Sequence, residues 1–516
     1  MMRLTLIVAA SLSATSCEPT APDYDLLIRN GLVYDGSLQA GRVSDIGIVG
    51  DRIVALDVAD DADATRVIDA SGKLLMPGFI DPHTHATNSL PESEADAKLN
   101  YLTQGVTTVF IGNDGDGIEN RVKALEVIEK KGTGTNVAFL AGHGQIRESV
   151  MNLEDRAPTA DEMATMKALL ADDMQAGAFG LSTGLYYSPG SYSETEEVIE
   201  LAKVAARYGG IYETHMRSEG AYGDGLLAAV EESIRIGREA SIPVHISHIK
   251  ALGQPVWGQG ADIIRLVEAA REEGIEVTAN QYPWRASGTR FSNALIPRWA
   301  AADSKEKMNE RLANSETGRR IRDEMLVNLG FRGGPDAMLV TAADSIWRGQ
   351  TLTEIATALE TDPIEAALQV VLGGDPSIAS FVMNGNDMEA LALQPWVMTG
   401  SDGSSGHPRL YGTYPKGWDD LVRGEKMSIA AFVHRSSGLV AETFGLCDRG
   451  FIRKDYVADI AIIDADHFKS NATYESPTEY SDGVEYLLIN GAIVIDNNNY
   501  NANLPGKLLR RHDCND

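Results

Sequence analysis

Between residues 75 and 405, short apolar runs alternate with longer stretches whose apolar residues recur at three- and four-residue spacing. The runs read as strands at 77–83, 106–112, 137–143, 178–183, 210–215, 243–248, 276–280 and 396–402. The stretches between them carry helix start and stop signals. Thr159 with Glu162 forms a capping box, Met163, Met166, Leu169, Leu170 and Met174 recur on one face, and Gly177 ends the helix. Ser193 with Glu196 repeats the device, and Gly209 closes that helix just before the next strand. Eight βα units with right-handed crossovers predict an α/β fold, a (β/α)8 TIM-like barrel rather than a doubly wound sheet. The gap between strands seven and eight is too long for a loop. Residues at about 285–395, with helical segments such as 303–328 and 352–372, predict an insertion over one rim. The flanks change period. Tyr24 to Leu56 and Val457 to Asn497 alternate apolar and polar residues, broken by Asn30-Gly31, Asp35-Gly36 and Asn490-Gly491 turns. They predict a small β-sandwich domain formed by both chain ends, 24–75 and 436–500, around a barrel at 76–435, with a tail at 501–516.

Charge removes one class of function. With 45 basic against 74 acidic residues and a formal charge of −29, the surface repels nucleic-acid phosphates. The first 17 residues stand apart. Arg3, the apolar run Leu4 to Leu12, the small residues Ser13-Ala14-Thr15-Ser16 and then Cys17 have the layout of an export signal. The cysteine directly after the small residues resembles a bacterial lipoprotein signal, although Ala14 stands where leucine is typical. This predicts an exported, periplasmic protein attached to the membrane through a lipidated Cys17. Beyond Cys17 the chain has only Cys447 and Cys514, too few for a disulfide scaffold or a thiolate zinc site. A bound metal must then be held by histidines and carboxylates.

The histidines fall where such a site requires them. His83 and His85 close the first run in DPHTH, His215 ends the fifth in YETHMRSEG, His248 ends the sixth in PVHISHIK, and Asp402 ends the eighth in MTGSDG. All lie at C-terminal strand ends, the face where barrel enzymes place their chemistry. An HxH at a strand end points both imidazoles the same way, since strand side chains alternate with period two. One strand-end histidine is ordinarily a hydrogen-bonded core residue; five convergent groups make a metal site. His245, His407, His434, His467 and His512 read as structural or surface residues, with the role of His245 left open.

These residues resemble the pattern of the amidohydrolase superfamily, and the resemblance narrows to the N-acyl-D-amino-acid deacylases, or D-aminoacylases. The strings PGFIDPHTHA, GVTTVFIGNDG, GHGQIR, GLSTGLYYSPG, ETHMRSEG, HISHIKALG, QYPWRAS and GSDGSSGHPRLYGT occur in that family's order, and the resemblance extends over nearly the whole mature chain. The resemblance implies zinc, as one or two divalent ions, held by His83, His85, Asp114, His215, His248 and Asp402. It also implies hydrolysis of N-acyl-D-amino acids by metal-bound hydroxide, with Asp402 as general base and then acid. Two departures stand out. Asp114 occupies the place of a metal-binding cysteine, where Asn113-Asp114-Gly115 also reads as a simple turn. In the family's DxYPY string, the aspartate is Asn280 and the second tyrosine Trp284, which predicts a reshaped loop near the substrate. On the substrate side the resemblance gives Lys250 to the substrate carboxylate, assisted by Tyr282 and by Ser287. Lys250 also shares the strand face of His248. Arg409 and Tyr192 are further pocket candidates, Tyr192 toward the developing oxyanion, and His143 with Arg147 a supporting pair behind the site. The rival reading within the superfamily is an exported dipeptidase for dipeptides with a C-terminal D-residue, which needs an acidic group for the free amine. A dihydroorotase-like activity fits less well, because AFGLST lacks the strand-four lysine that such enzymes carboxylate. A non-catalytic periplasmic binding protein would have no use for all five strand-end ligands.

Overall fold

The computed structural model describes residues 23–86, 98–118 and 121–511. The export signal, Cys17, His512 and Cys514 lie outside the described residues. The barrel strands are β1 (Phe79–Asp81), β2 (Val106–Ile111), β3 (Asn136–Phe139), β4 (Gly180–Gly184), β5 (Ile211–His215), β6 (Val244–Ile246), β7 (Val277–Gln281) and β8 (Val397–Thr399). Neighbours pair in parallel from β1 to β3 and from β4 to β8, and Ala141–Gly142 extends the third strand onto β4. A bridge between Thr84 and Gly403, with the Asp402 N–H donating to the His83 carbonyl at 2.9 Å, joins the ends of β8 and β1. All residues of these strands are buried, which is why they read as apolar runs rather than alternating ones.

Three strands stop two or three residues short of their expected ends. β1, β6 and β8 end at Asp81, Ile246 and Thr399 rather than at 83, 248 and 402. His248 (φ 33°) and Asp402 (φ 48°) take left-handed backbone that no strand can continue. The helix at Ala160–Gln175 starts on the Thr159 and Glu162 capping box and buries Met166, Leu170 and Met174, while Leu169 lies at the exposed margin. The next helix, Thr195–Arg207, starts from Glu194 without a side-chain cap, and the Ser193 hydroxyl donates to the Gly190 carbonyl instead.

Both chain ends build one continuous sheet of nine strands, whose junction is Leu74–Pro77 against Ile460–Ile463. Its apolar core draws on both ends, with Leu26, Ile28, Ile46, Ile48 and Ile53 against Ile460, Ile462 and Leu488. The first part of the 436–500 segment is helical, at Gly438–Phe444. Residues from 506 run along the base of the barrel: the Val137 N–H donates to the Lys507 carbonyl and the Leu509 N–H to the Val137 carbonyl, at 2.9 and 2.8 Å.

The segment between β7 and β8 forms a cap. Ala286–Arg290, Ser377–Phe381 and Met338–Val340 make an antiparallel sheet. Helices such as Ser315–Phe331 and Pro363–Leu372 surround a separate core of Phe291, Leu295, Ile321, Met325, Leu352 and Ile355. A cavity of about 760 Å³ separates the cap from the C-terminal ends of the strands.

Candidate metal centre

The cavity floor is built from strand ends. Asp114 sits in the short turn Asn113–Gly115 after β2, in left-handed backbone (φ 58°) between Gly112 and Gly115. The turn itself carries the Asp114 carboxylate into the ring of imidazoles. Asp114 Oδ1 lies 3.4 Å from His83 Nε2, 3.6 Å from His215 Nδ1 and 3.5 Å from His248 Nε2, and its Oδ2 lies 3.6 Å from His85 Nε2. Asp402 Oδ1 lies 3.1 Å from His85 Nε2 and 3.7 Å from His83 Nε2. Two overlapping groups result, His83, His85, Asp114 and Asp402, and Asp114, His215 and His248, with Asp114 common to both.

This donor set fits a metal on physical grounds. Ligand atoms about 2.0–2.1 Å from a tetrahedral zinc stand roughly 3.3 Å from one another, close to the separations around Asp114. Asp114 Oδ1, His83 Nε2 and both ring nitrogens of His215 are buried without a hydrogen-bond partner, a costly arrangement unless a cation satisfies them. Burial disfavours charge on both partners, yet the Asp114 carboxylate raises the His83 imidazole well above its usual pKa, and His83 and His215 pull Asp114 well below its own.

A second layer fixes the ligands. Glu213, on β5 and fully buried, accepts from His83 Nδ1 at 3.0 Å, from Asn113 Nδ2 at 3.3 Å, and from the Ser182 and Ser247 hydroxyls. A carboxylate on the far nitrogen fixes the tautomer that leaves His83 Nε2 free for a metal. Asn280, expected to reshape a loop, instead points inward from β7. Its side-chain oxygen accepts the His248 N–H at 2.9 Å, and its amide bonds His245 Nε2 at 2.8 Å. It pins His248 in its left-handed conformation. His245 is thus a structural residue of the barrel interior, its other nitrogen 2.9 Å from Thr278 Oγ1. Trp284 packs behind the cavity wall with Tyr282, Met383 and Met388.

Residues 66–282 match the amidohydrolase family. The chain is 31% identical to a D-aminoacylase from Alcaligenes xylosoxydans xylosoxydans over 95% of this chain and 98% of that protein. To an N-acyl-D-glutamate deacylase from the same organism it is 32% identical, over 94% and 96%. The chain belongs to the N-acyl-D-amino-acid deacylase, or D-aminoacylase, family. Crystal structures agree. A D-aminoacylase with a binuclear metal centre matches with a TM-score of 0.82 and 30% identity, over 95% of this chain and 100% of that one. The N-acyl-D-glutamate deacylase of Bordetella bronchiseptica, complexed with zinc and a phosphonate inhibitor, matches at 0.81 and 28%, over 94% and 99%.

In this D-aminoacylase-family barrel the remaining predicted residues divide. Arg409 reaches the centre through its Nη1, 2.7 Å from Asp402 Oδ2. Burial favours the neutral acid at Asp402, but the Arg409 guanidinium and the nearby imidazoles hold the carboxyl far below its usual pKa. Lys250, Tyr282 and Ser287 all line the cavity. Lys250 does not follow His248 along a strand face, because β6 has already ended. Its ammonium turns back to Glu219 Oε1 at 2.5 Å and His248 Nδ1 at 2.9 Å. The Tyr282 hydroxyl is buried without a partner. Tyr192 lies away from the cavity lining, with its hydroxyl donating to the Arg298 carbonyl at 3.3 Å. Tyr186 and Tyr187 of the same YYSPG string face the centre instead, their rings 5.6 and 4.6 Å from that of His215. His143 and Arg147 converge on Glu197, at 2.9 and 2.5 Å, and all three are buried behind the site. His407, read as structural or surface, lines the cavity wall and bonds the Ala286 carbonyl. Glu213, Glu219, Tyr187 and the arginines of the cap escaped the sequence reading. Glu213 and Glu219 lie within ETHMRSEG, two residues before and four after His215, spacings that were available as a signal.

Proposed function

We propose that the protein hydrolyses the amide bond of N-acyl-D-amino acids, using divalent zinc held by His83, His85, Asp114, His215 and His248, with Asp402 as the proton carrier. The observation that carries this reading is the gathering of four imidazoles around Asp114 in two overlapping groups, with Asp402 in the first and braced by Arg409. Zinc in such a site supplies Lewis acidity, which acidifies water and polarises an amide carbonyl. The remaining steps belong to the chain's own side chains. Asp402 enters the cycle ionised, because Arg409 and the imidazoles stabilise its carboxylate. It takes the proton of the attacking water at one oxygen while the other stays on Arg409. The same pairing makes its protonated form unfavourable, so the proton passes readily to the amide nitrogen as the bond breaks. The buried Tyr187 and Tyr282 hydroxyls stay protonated, since burial pushes both well above their usual pKa, and they remain donors at the cavity wall. Lys250 and Tyr282 provide the place for the α-carboxylate once Glu219 shares Lys250 with it.

The location is also a proposal. Arg3, the apolar run Leu4 to Leu12 and Cys17 support export and lipid attachment in the periplasm. Mass spectrometry of the protein purified from membranes should find the chain starting at a diacylated Cys17, and Cys17→Ser should release it from the membrane fraction. A protein starting at Met1 in the cytosol overturns that reading. The activity itself is tested with purified zinc-loaded protein on N-acetyl-D-amino acids, their L-enantiomers and dipeptides ending in a D-residue, with amine release as readout. Turnover of the acetylated D-series is expected. Turnover of the D-dipeptides alone would replace the deacylase reading by a dipeptidase.

A further inference from the structure

Five arginines among the described residues are less than a tenth exposed, and four of them have evident internal partners. Arg147 meets Glu197, Arg409 meets Asp402, Arg449 meets Asp459, and Arg435 donates to the Ala392 and Met398 carbonyls. Arg332 is different. It caps the end of the helix Ser315–Phe331, is 3% exposed and lines the cavity, yet it meets only neutral hydroxyls. Its Nε lies 2.9 Å from Tyr222 Oη, Nη1 3.3 Å from Ser287 Oγ, and Nη2 3.2 Å from Tyr186 Oη. No carboxylate of the described residues comes within ion-pair distance of it. A guanidinium cannot shed its proton to relieve burial, and a buried charge is stable only when paired. The surrounding roof is also basic: Arg290, Arg298 and Lys305 line the same cavity. The roof's acid, Asp375, is already engaged by the Ser292 N–H and hydroxyl at 3.1 and 2.5 Å.

We propose that Arg332, with the Ser287 hydroxyl, receives a carboxylate carried on the side chain of the substrate, so that acylated acidic D-amino acids are the preferred substrates. This rests on the deacylase reading above. The geometry separates the two carboxylates of such a molecule. The α-carboxylate carbon is two bonds from the scissile nitrogen and must stay near Lys250 and Tyr282. The Tyr186 ring, stacked 5.6 Å from the His215 ring, stands between the floor and Arg332, a gap that a β- or γ-carboxylate at the end of an extended side chain can span. The Ser287 hydroxyl, already 3.3 Å from Arg332 Nη1, can turn its proton to that carboxylate.

The test compares N-acetyl-D-glutamate, N-acetyl-D-glutamine and N-acetyl-D-leucine on the zinc-loaded wild type and on Arg332→Gln. A charged hydrogen bond of this kind corresponds to roughly ten- to a hundredfold in kcat/KM. The wild type is expected to favour the glutamate over its amide by at least about tenfold. Arg332→Gln is expected to lose at least about tenfold more on the glutamate than on the glutamine, with Arg332→Lys intermediate. Equal losses on acid and amide, or a wild type that prefers neither, overturn the proposal. If Arg332→Gln does not fold, the wild-type preference alone still decides. Turnover of the leucine substrate without a preference for the acid sinks this proposal and leaves the deacylase reading standing; turnover of no D-substrate sinks both.

Discussion

Glu213 touches no predicted ligand except through the back of His83, which makes it a sharp probe of how the centre is held. Its carboxylate is fully buried among four donors: His83 Nδ1, Asn113 Nδ2 and the hydroxyls of Ser182 and Ser247. Burial alone would favour its neutral form, yet His83 and the donors hold it ionised, below the usual carboxylate range. Glu213→Gln keeps the shape and one acceptor while removing the charge. The Gln oxygen can stay on His83, and the amide can face Ser182, whose hydroxyl rotates to accept. A hydrogen bond to a charged group contributes about 1.5–3 kcal/mol against about 0.5–1.5 for a neutral one. The expected loss is therefore about 1–2 kcal/mol in the basicity and orientation of His83. That corresponds to a zinc affinity weakened roughly five- to thirtyfold, near the range known for ligands behind ligands. The assay is competition against a chelator of known affinity, followed by kcat/KM at saturating zinc. Affinity should fall and most of the activity should return with excess metal. A zinc Kd within threefold of wild type in a normally folded variant would show that Glu213 is not what positions His83.

Three further outcomes are expected. Asp402→Asn should lower kcat by on the order of 10²–10⁴ while zinc content and fold persist, because only the proton carrier is lost; retention of a tenth of wild-type kcat would refute that role. Asp114→Ala should lower zinc stoichiometry, read by elemental analysis, because the carboxylate shared by both donor groups is lost. Asp114→Cys should retain more metal, and full stoichiometry in Asp114→Ala would leave Asp114 as a turn residue only. The third concerns His245, whose pKa burial pushes down to about 3. It is neutral in the folded protein and protonates near 6.5 when unfolded, so the unfolded chain binds the extra proton between those values. Stability from this group is fully present above pH 6.5 and falls as pH drops toward 3, by up to about 4–5 kcal/mol. Denaturant titrations across that window should show a shallower decline in His245→Gln, and an unchanged pH slope would count against the assignment.

The sequence by itself determined the barrel and the residues that gather at its candidate metal centre. Burial on both faces makes parallel strands continuous apolar runs, so eight runs separated by stretches of helical period specified the fold without knowledge of packing. His83, His85, His215, His248 and Asp402 were legible because function in a barrel is confined to one end of every strand, and that end can be read from the order of residues. The cap was visible as length and helical segments but not as chemistry, since its contribution depends on which side chains turn inward across more than a hundred residues of separation.

Tertiary structure decided everything that depends on direction. Period-two reasoning assigned Lys250 to the face of His248, but it fails once the chain leaves the strand. The left-handed bend at His248, held by Asn280 from the next strand, turns Lys250 onto Glu219. The YYSPG loop likewise offered two neighbouring tyrosines and a third beyond the proline. Only the fold shows that Tyr187 faces His215 while Tyr192 turns to the Arg298 carbonyl. Arg332 carries no pattern of its own in the sequence, and Glu213 is marked only by its place two residues before His215. A carboxylate becomes a support for a ligand, and an arginine becomes an unpaired charge, only through neighbours that closure of the ring and folding of the cap bring beside them.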